Sequence, residues 1–202
     1  VLRWRLKLDW QISSLATRSL NSMKPEVLNI IRLGLFQMVF MSRIPQSAAV
    51  NTSVEMSKEF APKRVAGFVN GLLRNFTRNP EPAALPDPSE NQLQALAVAQ
   101  SFPQWIINRW NNSWGMEETS RLCVALNKIP PVTVRTNTLI TTRALLLDKL
   151  KPFADNAANT MFSPFGIALQ GLHKPVNRLP GFREGLFQIQ DEAAQIAALV
   201  LG

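Results

Sequence analysis

Four prolines between residues 79 and 90 set the strongest limit on how this chain can fold. The segment reads Asn-Pro-Glu-Pro-Ala-Ala-Leu-Pro-Asp-Pro-Ser-Glu and contains little that a core would bury. Proline lacks the backbone N–H that the interior of a helix or a sheet needs, so neither element can run through this segment. One uninterrupted helical bundle is excluded, and residues 79–90 are predicted to form a semi-extended linker between two folded parts.

The two parts differ in charge. The 202 residues carry 22 Lys and Arg against 14 Asp and Glu, a net charge of +8. Residues 1–80 hold 12 basic and 4 acidic side chains, whereas residues 81–202 hold 10 of each. The excess therefore lies in the first part, and it favours a polyanionic partner such as nucleic acid or an anionic membrane surface.

Helical periodicity fills the first part. Apolar residues at helical spacing predict helices over 2–20, 25–41, 47–60 and 63–78. Pro25 suits the first turn of its helix, where a missing N–H leaves no hydrogen bond unmade. The first part is therefore predicted to be all helical.

The helix predicted over 63–78 has the clearest pattern in the chain. Its apolar side chains recur at i, i+3, i+4, i+7, i+8 and i+11, so they form one stripe that must pack on other helices: Val65, Phe68, Val69, Leu72, Leu73 and Phe76. The opposite arc gathers four cations and two glycines: Lys63, Arg64, Arg74, Arg78, Gly67 and Gly71. A mid-helix glycine costs about 1 kcal/mol relative to alanine, so a bulky partner such as RNA phosphate is expected there. The alternative is a solvated face whose glycines let a neighbouring helix pass close by.

The second part mixes helices and strands. Helical spacing predicts helices over 89–100, 103–110 and 116–128, with Ser89 as the first N-cap and Gln92 as its capping-box partner. Alternation and turn signals then predict strands over 131–137, 165–169 and 185–189, a short helix over 141–150 and an amphipathic helix over 191–201. This part is therefore predicted to be α+β.

The strand over 131–137 offers a second set of candidate RNA contacts. Arg135 and Asn137 share the strand face that does not carry Val132 and Val134. An exposed arginine and asparagine can contact phosphate, sugar or base edges, and a solvated sheet face is the open alternative. The five tryptophans could also stack on unpaired bases, but most are predicted to be core.

The residues contain no complete reaction centre or metal site. Cys123 lies in an apolar helical segment and is predicted to be core, and His173 is predicted to be a surface loop residue without a clear carboxylate partner. One cysteine and one histidine cannot supply the ligands that zinc usually takes, and the single cysteine excludes an internal disulfide and favours a cytoplasmic setting. The longest apolar stretch, 27–41, is too short and too polar to span a membrane.

Five sequence blocks resemble known families. Residues 43–51 (RIPQSAAVN), 54–58 (VEMSK) and 67–74 (GFVNGLLR) resemble the NusB-like RNA-binding domain. Residues 131–137 (PVTVRTN) and 179–194 (LPGFREGLFQIQDEAA) are similar to the Sun/Fmu family of S-adenosylmethionine-dependent methyltransferases. Members of that family methylate C5 of a cytosine in small-subunit ribosomal RNA.

The resemblance implies a multi-domain architecture. An all-α NusB-like domain is expected over 1–78, its first helix lying ahead of Val1, followed by the linker over 79–90. A small α+β, ferredoxin-like RNA-recognition subdomain with a helical lead-in is expected over 91–185. Residues 186–202 are expected to begin a Rossmann-like methyltransferase domain that the chain does not complete.

The resemblance also implies a division of labour. In the family, the run that here contains Gln190 and Asp191 begins the helix that leads into the cofactor domain. The S-adenosylmethionine loop and the two catalytic cysteines of the family are expected beyond Gly202. Cys123 matches neither of these cysteines. The chain is thus expected to be the RNA-binding portion of a ribosomal RNA (cytosine-5) methyltransferase, with no catalytic residue of its own. The alternative is a NusB-like RNA-binding or transcription-antitermination factor, which would leave residues 89–202 unexplained.

The last predicted helix carries apolar residues whose partner is expected to be the methyltransferase sheet: Ala193, Ile196, Ala197, Leu199, Val200 and Leu201. Without that partner, the helix is expected to be frayed or bound to another copy of the chain.

Overall fold

The computed structural model describes residues 1–60, 62–78 and 85–201, apart from the side chain of Lys63. The chain divides into two compact units, residues 1–127 and residues 128–202. Half of the predicted linker, residues 79–84, lies outside the described residues.

The first unit is all helical in its described residues, as predicted. Its helices are α1 (Arg5–Leu15), α2 (Pro25–Phe40), α3 (Gln46–Phe60), α4 (Lys63–Arg78), α5 (Gln92–Gln100) and α6 (Gln104–Asn127), with 3₁₀ turns at Leu2–Trp4 and Leu20–Ser22. The predicted bounds of α2, α3 and α4 are confirmed to within one residue. The first helix differs, because it ends at Leu15 and Ala16 is already extended.

Helices α1 to α4 enclose the main core of this unit. Their fully buried side chains are Leu8, Ile12, Ile31, Leu35, Val69 and Leu73. The buried face of α4 is the predicted apolar stripe, in which Val69, Leu72, Leu73 and Phe76 are buried and Val65 and Phe68 are half-buried. The packing of this stripe fixes which face of α4 is turned to solvent.

The start of α5 differs from the prediction. Asn91, not Ser89, caps the helix, because its side-chain oxygen accepts from the N–H of Gln94 at 2.9 Å. The N–H of Ser89 instead donates to the carboxylate of Asp87 at 2.8 Å. Asparagine and serine are comparable caps, so the turn made by Asp87 decides between them.

Helix α6 bends at Gly115, where φ is +78° and ψ is 173°. The two helices predicted over 103–110 and 116–128 lie on either side of this bend. Only glycine adopts this backbone conformation without large strain. The break between the predicted helices is therefore confirmed, although the first of them continues to the glycine.

By their contacts, residues 91–127 pack with the helices of the first unit, while the predicted subdomain over 91–185 stays a prediction. The hydroxyl oxygen of Ser101, at the end of α5, accepts from the N–H of Leu6 in α1 at 3.0 Å. Phe102 and Trp110 pack edge to face beside it, with ring centroids 5.5 Å apart. The hydrogen bond between Leu6 and Ser101 joins residues 95 positions apart, so periodicity alone does not reveal it.

The second unit is a four-stranded antiparallel sheet with helices, as predicted for a ferredoxin-like subdomain. The strand order is β2-β3-β1-β4. The strands are β1 (Val132–Thr136), β2 (Ala154–Asn159), β3 (Gly166–Leu172) and β4 (Phe187–Ile189), and the helices are α7 (Arg143–Leu150) and α8 (Glu192–Val200), with 3₁₀ turns at Lys151–Phe153 and Val176–Arg178. Because β4 pairs with β1, the sheet extends past the predicted boundary at residue 185.

The register of the sheet separates an apolar face from a polar face. Val134 lies opposite Ile167 and Ile189, and this face packs on the buried leucines of α7. Arg135 lies opposite Gly166 and Gln188 on the other face. The alternation predicted for β1 is therefore confirmed.

The first turn of α8 is hydrogen-bonded to the loop between β2 and β3. The carboxylate of Glu192 accepts from the N–H groups of Phe162 and Ser163 at 2.6 and 2.8 Å. The Gln195 amide donates to the Gln190 carbonyl and accepts from the Ser163 hydroxyl. The expectation of an unsupported helix is therefore corrected at this end, while Val200 at the other end is 79% exposed.

Candidate nucleic-acid interface

The solvent face of α4 presents cations around two glycines. We call this the basic face: Arg64, Gly67, Gly71, Arg74 and Arg78. All five residues are exposed. The fourth predicted cation, Lys63, lies at the first position of α4, and its side chain is outside the described residues.

The three described arginines of the basic face have no acidic partner. Within the described part of the chain, none of them makes an ion pair, and Arg74 instead donates from Nε to the Asn70 side-chain oxygen at 2.9 Å. Some other cations of this unit do make ion pairs: Arg32 pairs with Asp9 at 2.6 Å and Lys58 pairs with Glu55 at 2.6 Å. The basic face thus keeps its positive charge available to an external anion.

The two glycines of the basic face border open space. A Cβ added at Gly67 or at Gly71 would meet no atom within 4 Å. Gly34 in α2 shows the contrasting case, since its Cβ would lie 2.6 Å from the Ser53 hydroxyl and 3.0 Å from Leu73. Gly34 therefore permits close helix packing, whereas no described helix passes close to Gly67 and Gly71.

The predicted contact Arg135 lies on the polar face of the sheet, half-buried in β1. Its flanking positions carry small or uncharged side chains, with Gly166 on one side and Gln188 on the other. This face can accept a flat or extended ligand beside a single guanidinium group, because the neighbouring side chains project little.

Asn137, the other predicted contact, follows the last residue of β1. Its amide nitrogen donates to the carbonyl of Gly185 at 2.9 Å, and its side-chain oxygen accepts from the N–H of Leu139 at 3.2 Å. In this structure the Asn137 side chain closes the turn after β1, and its nitrogen and its oxygen both have hydrogen-bond partners. Both remain predictions as RNA contacts.

The predicted entry motif has a structural role in the second unit. The Asp191 carboxylate caps α8 by accepting from the N–H of Ala193 at 2.9 Å. Gln190 continues the β4 pairing through its N–H, which donates to the carbonyl of Thr133 at 3.1 Å. Glu192 and Gln195, which hold α8, carried no sequence signal because their partners lie about 30 residues away.

Two of the five tryptophans are exposed rather than core. Trp105 is 64% exposed and Trp114 is 56% exposed, both on the first half of α6. Their neighbour Trp110 is half-buried against Phe102.

The described residues contain no group of three or more histidine, cysteine or acidic side chains that could hold a metal ion. Cys123 is fully buried, as predicted, and burial raises the pKa of its thiol. His173 is exposed, as predicted, but its Nε2 lies 2.8 Å from a carboxylate oxygen of Asp155, so it does have a carboxylate partner. Within the described residues, no helix combines the length and the apolar character that a membrane span requires.

Comparison with known proteins finds two family matches along the chain. Residues 1–78 match the NusB family, and residues 102–177 match the ferredoxin-like domain of RsmF/B-like methyltransferases. The chain is 32% identical over 201 residues to a probable ribosomal RNA small subunit methyltransferase B of Synechocystis sp., covering 100% of this chain and 45% of that protein. It is 30% identical over 201 residues to a protein of the same name in Bacillus subtilis, covering 99% of this chain and 44% of that protein.

A solved structure shares the fold. The crystal structure of PH0851 superposes with a TM-score of 0.74 at 20% identity, over 99% of this chain and 44% of that chain. The chain spans less than half the length of the curated relatives it matches. The sequence resemblance is confirmed at the level of domains: this chain belongs to the NusB family over residues 1–78 and to the RsmF/B-like methyltransferase ferredoxin-like domain family over residues 102–177.

Proposed function

We propose that this chain is the RNA-binding portion of an S-adenosylmethionine-dependent ribosomal RNA (cytosine-5) methyltransferase that acts on small-subunit RNA in the cytoplasm. The observation that carries the RNA-binding part is the basic face of α4, with its unpaired arginines and open glycines. The names of the relatives support the reaction class and the small-subunit substrate.

The basic face suits a phosphate backbone. Phosphate contacts supply affinity and position but carry no sequence information, so they require cations rather than a shaped pocket. The glycines lower the helix surface between Arg64, Arg74 and Arg78. A phosphate chain can therefore approach the helix backbone while the arginines contact it from the sides. Arg135 and Asn137 are proposed as contacts of the second unit.

The chemical step is assigned to residues outside this sequence. Methylation of C5 of cytosine requires a thiolate that adds to C6, with S-adenosylmethionine as the methyl donor. Cys123 is buried in its protonated form and has no access to a substrate. The 202 residues contain no glycine-rich nucleotide loop, so they do not fit the cofactor, and we assign them RNA delivery alone.

The rival proposal is a NusB-like factor that acts by RNA binding alone, for example in transcription antitermination. Such a factor needs only the first unit. The family match over residues 102–177 favours the methyltransferase, because it accounts for the sheet unit as well.

The test of the basic face is a salt titration of RNA binding. Affinity for a small-subunit RNA fragment is measured with the 202-residue chain and with an Arg74→Glu, Arg78→Glu variant. The double variant should bind more weakly, and the slope of log affinity against log salt should fall by about 1.5, since each lost phosphate contact removes about 0.7–0.9.

A matched control carries the same change of charge elsewhere. Lys58→Glu, Lys151→Glu replaces two exposed lysines that already pair with carboxylates. This variant should keep most of the affinity and the slope. Equal affinities and slopes for wild type and the Arg74, Arg78 variant would refute the assignment of the basic face.

A further inference from the structure

A cavity of about 250 Å³ lies in the first unit, on the side of α4 away from the basic face. We call it the α1 cavity. Residues of four helices and of the segment before α5 line it: Lys7, Gln11, Met38, Val39, Gln46, Phe76 and Leu85. Its walls are mostly apolar, and its polar groups come from α1 and α3.

Gln11 lines this cavity and has a buried side-chain oxygen without a hydrogen-bond partner among the described residues. The residue is 1% exposed, and its Oε1 accepts no hydrogen bond from the described residues. Gln195 is also 2% exposed, but its amide is bonded through both the oxygen and the nitrogen. A buried acceptor without a donor costs about 1–3 kcal/mol, so the Gln11 oxygen indicates a site that an N–H donor is expected to occupy.

Lys7, one turn before Gln11, supplies a partly desolvated cation. Its Nζ lies 5.6 Å from the ring centroid of Trp4 and 5.9 Å from that of Phe40. Burial lowers the pKa of Lys7, and no described carboxylate pairs with it. An ammonium group in this position favours an external anion.

We propose that the α1 cavity receives one unpaired nucleobase of the bound RNA, with a base N–H donating to Gln11 Oε1 and a phosphate of the same strand beside Lys7. This inference rests on the proposed RNA-binding function. The volume falls below the roughly 300–1,000 Å³ of sites that hold a whole drug-sized ligand, which suits a single heterocycle. The apolar side chains of Met38, Val39 and Phe76 contact the ring, as required for unstacked bases.

The experiment compares a single-stranded RNA dodecamer of mixed sequence with an abasic dodecamer that has the same number of phosphates. Both are titrated against the 202-residue chain, Gln11→Met and a control, Gln92→Met. Methionine keeps the volume of glutamine but removes the acceptor. Gln92 is an exposed glutamine that lines the other large cavity of this unit, of about 450 Å³ with mainly apolar walls.

Wild type should bind the base-containing RNA more tightly than the abasic RNA. Gln11→Met should weaken binding of the base-containing RNA by about 3–10-fold, the value of one net hydrogen bond. It should leave the abasic RNA and the salt slope unchanged. Lys7→Gln should lower the salt slope by about one phosphate contact. Gln92→Met should behave as wild type.

Four results would overturn the inference. Equal wild-type affinity for the two dodecamers would show that no base is recognised, whatever the stability of the variants. Equal affinity of Gln11→Met and wild type, or an equal loss for both RNAs, would make Gln11 a packing residue only. If wild type binds neither RNA, the proposed function fails together with this inference, whereas RNA binding without a base effect removes this inference alone.

Discussion

At the scale of single residues, glycine serves three purposes in the helices of this chain. Gly34 allows α2 to approach Ser53 and Leu73. Gly115 takes a positive φ at the bend of α6. Gly67 and Gly71 have ordinary helical surroundings and open space above them, so neither packing nor backbone geometry accounts for them. The proposed phosphate backbone lying against the helix would account for them.

The Gly67→Ala, Gly71→Ala variant should be more stable and bind RNA less well. Each replacement removes up to about 1 kcal/mol of helix penalty, and the added methyl groups contact no protein atom. The methyl groups would, however, hold a phosphate backbone away from α4. Calorimetry should show a rise in the melting temperature, and RNA titration should show a loss of affinity. A gain in stability with unchanged affinity would mean that no ligand reaches this surface.

Gly115→Ala should have the opposite effect on stability. An alanine at φ +78° is strained by about 1–2 kcal/mol, although its Cβ would meet no atom within 4 Å. The melting temperature of the first unit should therefore fall. Glycine-to-alanine changes at Gly71 and at Gly115 thus distinguish the effect of helix propensity from the effect of backbone strain. A higher melting temperature for Gly115→Ala would contradict the positive φ at residue 115.

At the scale of elements, α8 is attached through polar contacts of its first turn rather than through an apolar face. Glu192 accepts two backbone N–H groups of the loop between β2 and β3, and Gln195 bonds the Ser163 hydroxyl in the same loop. These hydrogen bonds, first with Ser163 and then with Phe162, hold the pKa of Glu192 below its ordinary value. The ionised carboxylate of Glu192, together with the amide of Gln195, therefore holds the first turn of α8 against this loop.

The attachment of α8 should weaken in acid. Because the pKa of Glu192 is lowered by the contacts of the folded state, its stabilising effect is complete above the ordinary glutamate pKa of about 4.3 and is lost as pH falls through the lowered value. Amide chemical shifts of Phe162, Ser163 and α8 should follow this titration between pH 6 and pH 2. Glu192→Gln should abolish it.

Glu184→Gln serves as the control for this titration. Glu184 is an exposed carboxylate in the turn before β4 and makes no ion pair among the described residues. In the Glu184→Gln variant, the amide chemical shifts of Phe162 and Ser163 should change with pH as they do in the wild type. Shifts that titrate unchanged in Glu192→Gln would mean that another group holds the helix.

At the scale of the whole molecule, the two units carry different parts of the proposed activity. The helical unit contains the basic face and the α1 cavity. The sheet unit contains Arg135, the proposed RNA contact of β1, and helix α8. Among the described residues, no group of three or more histidine, cysteine or acidic side chains could hold a metal ion. The proposed division of labour gives RNA binding to these 202 residues and methyl transfer to residues outside them.

The 202-residue chain should bind RNA and neither bind S-adenosylmethionine nor transfer its methyl group. Isothermal titration with S-adenosylmethionine should show no heat of binding, and a methyl-transfer assay on unmodified small-subunit RNA should show no incorporation. RNA binding by the same preparation is the positive control. Methyl incorporation would show that the reaction centre lies within these residues and would contradict the division of labour.

The sequence by itself determined the elements that depend on local spacing. The apolar stripe and basic arc of α4, the bounds of α2 and α3, and the alternation of β1 each follow from residues a few positions apart. The family blocks likewise identified both units. Residues close in sequence share one helix or strand, so its period reports which of their side chains are buried.

Only the tertiary structure decided the features that join distant residues. Strand β2 reads Ala-Asp-Asn-Ala-Ala-Asn, without a strong strand former, and exists because it pairs with β3. The partners of α8, the grouping of α5 and α6 with the helical unit, the open space above Gly71 and the unpartnered oxygen of Gln11 also depend on what other segments bring near. Local propensity is weak compared with such contacts, so these features became visible only once the chain was folded.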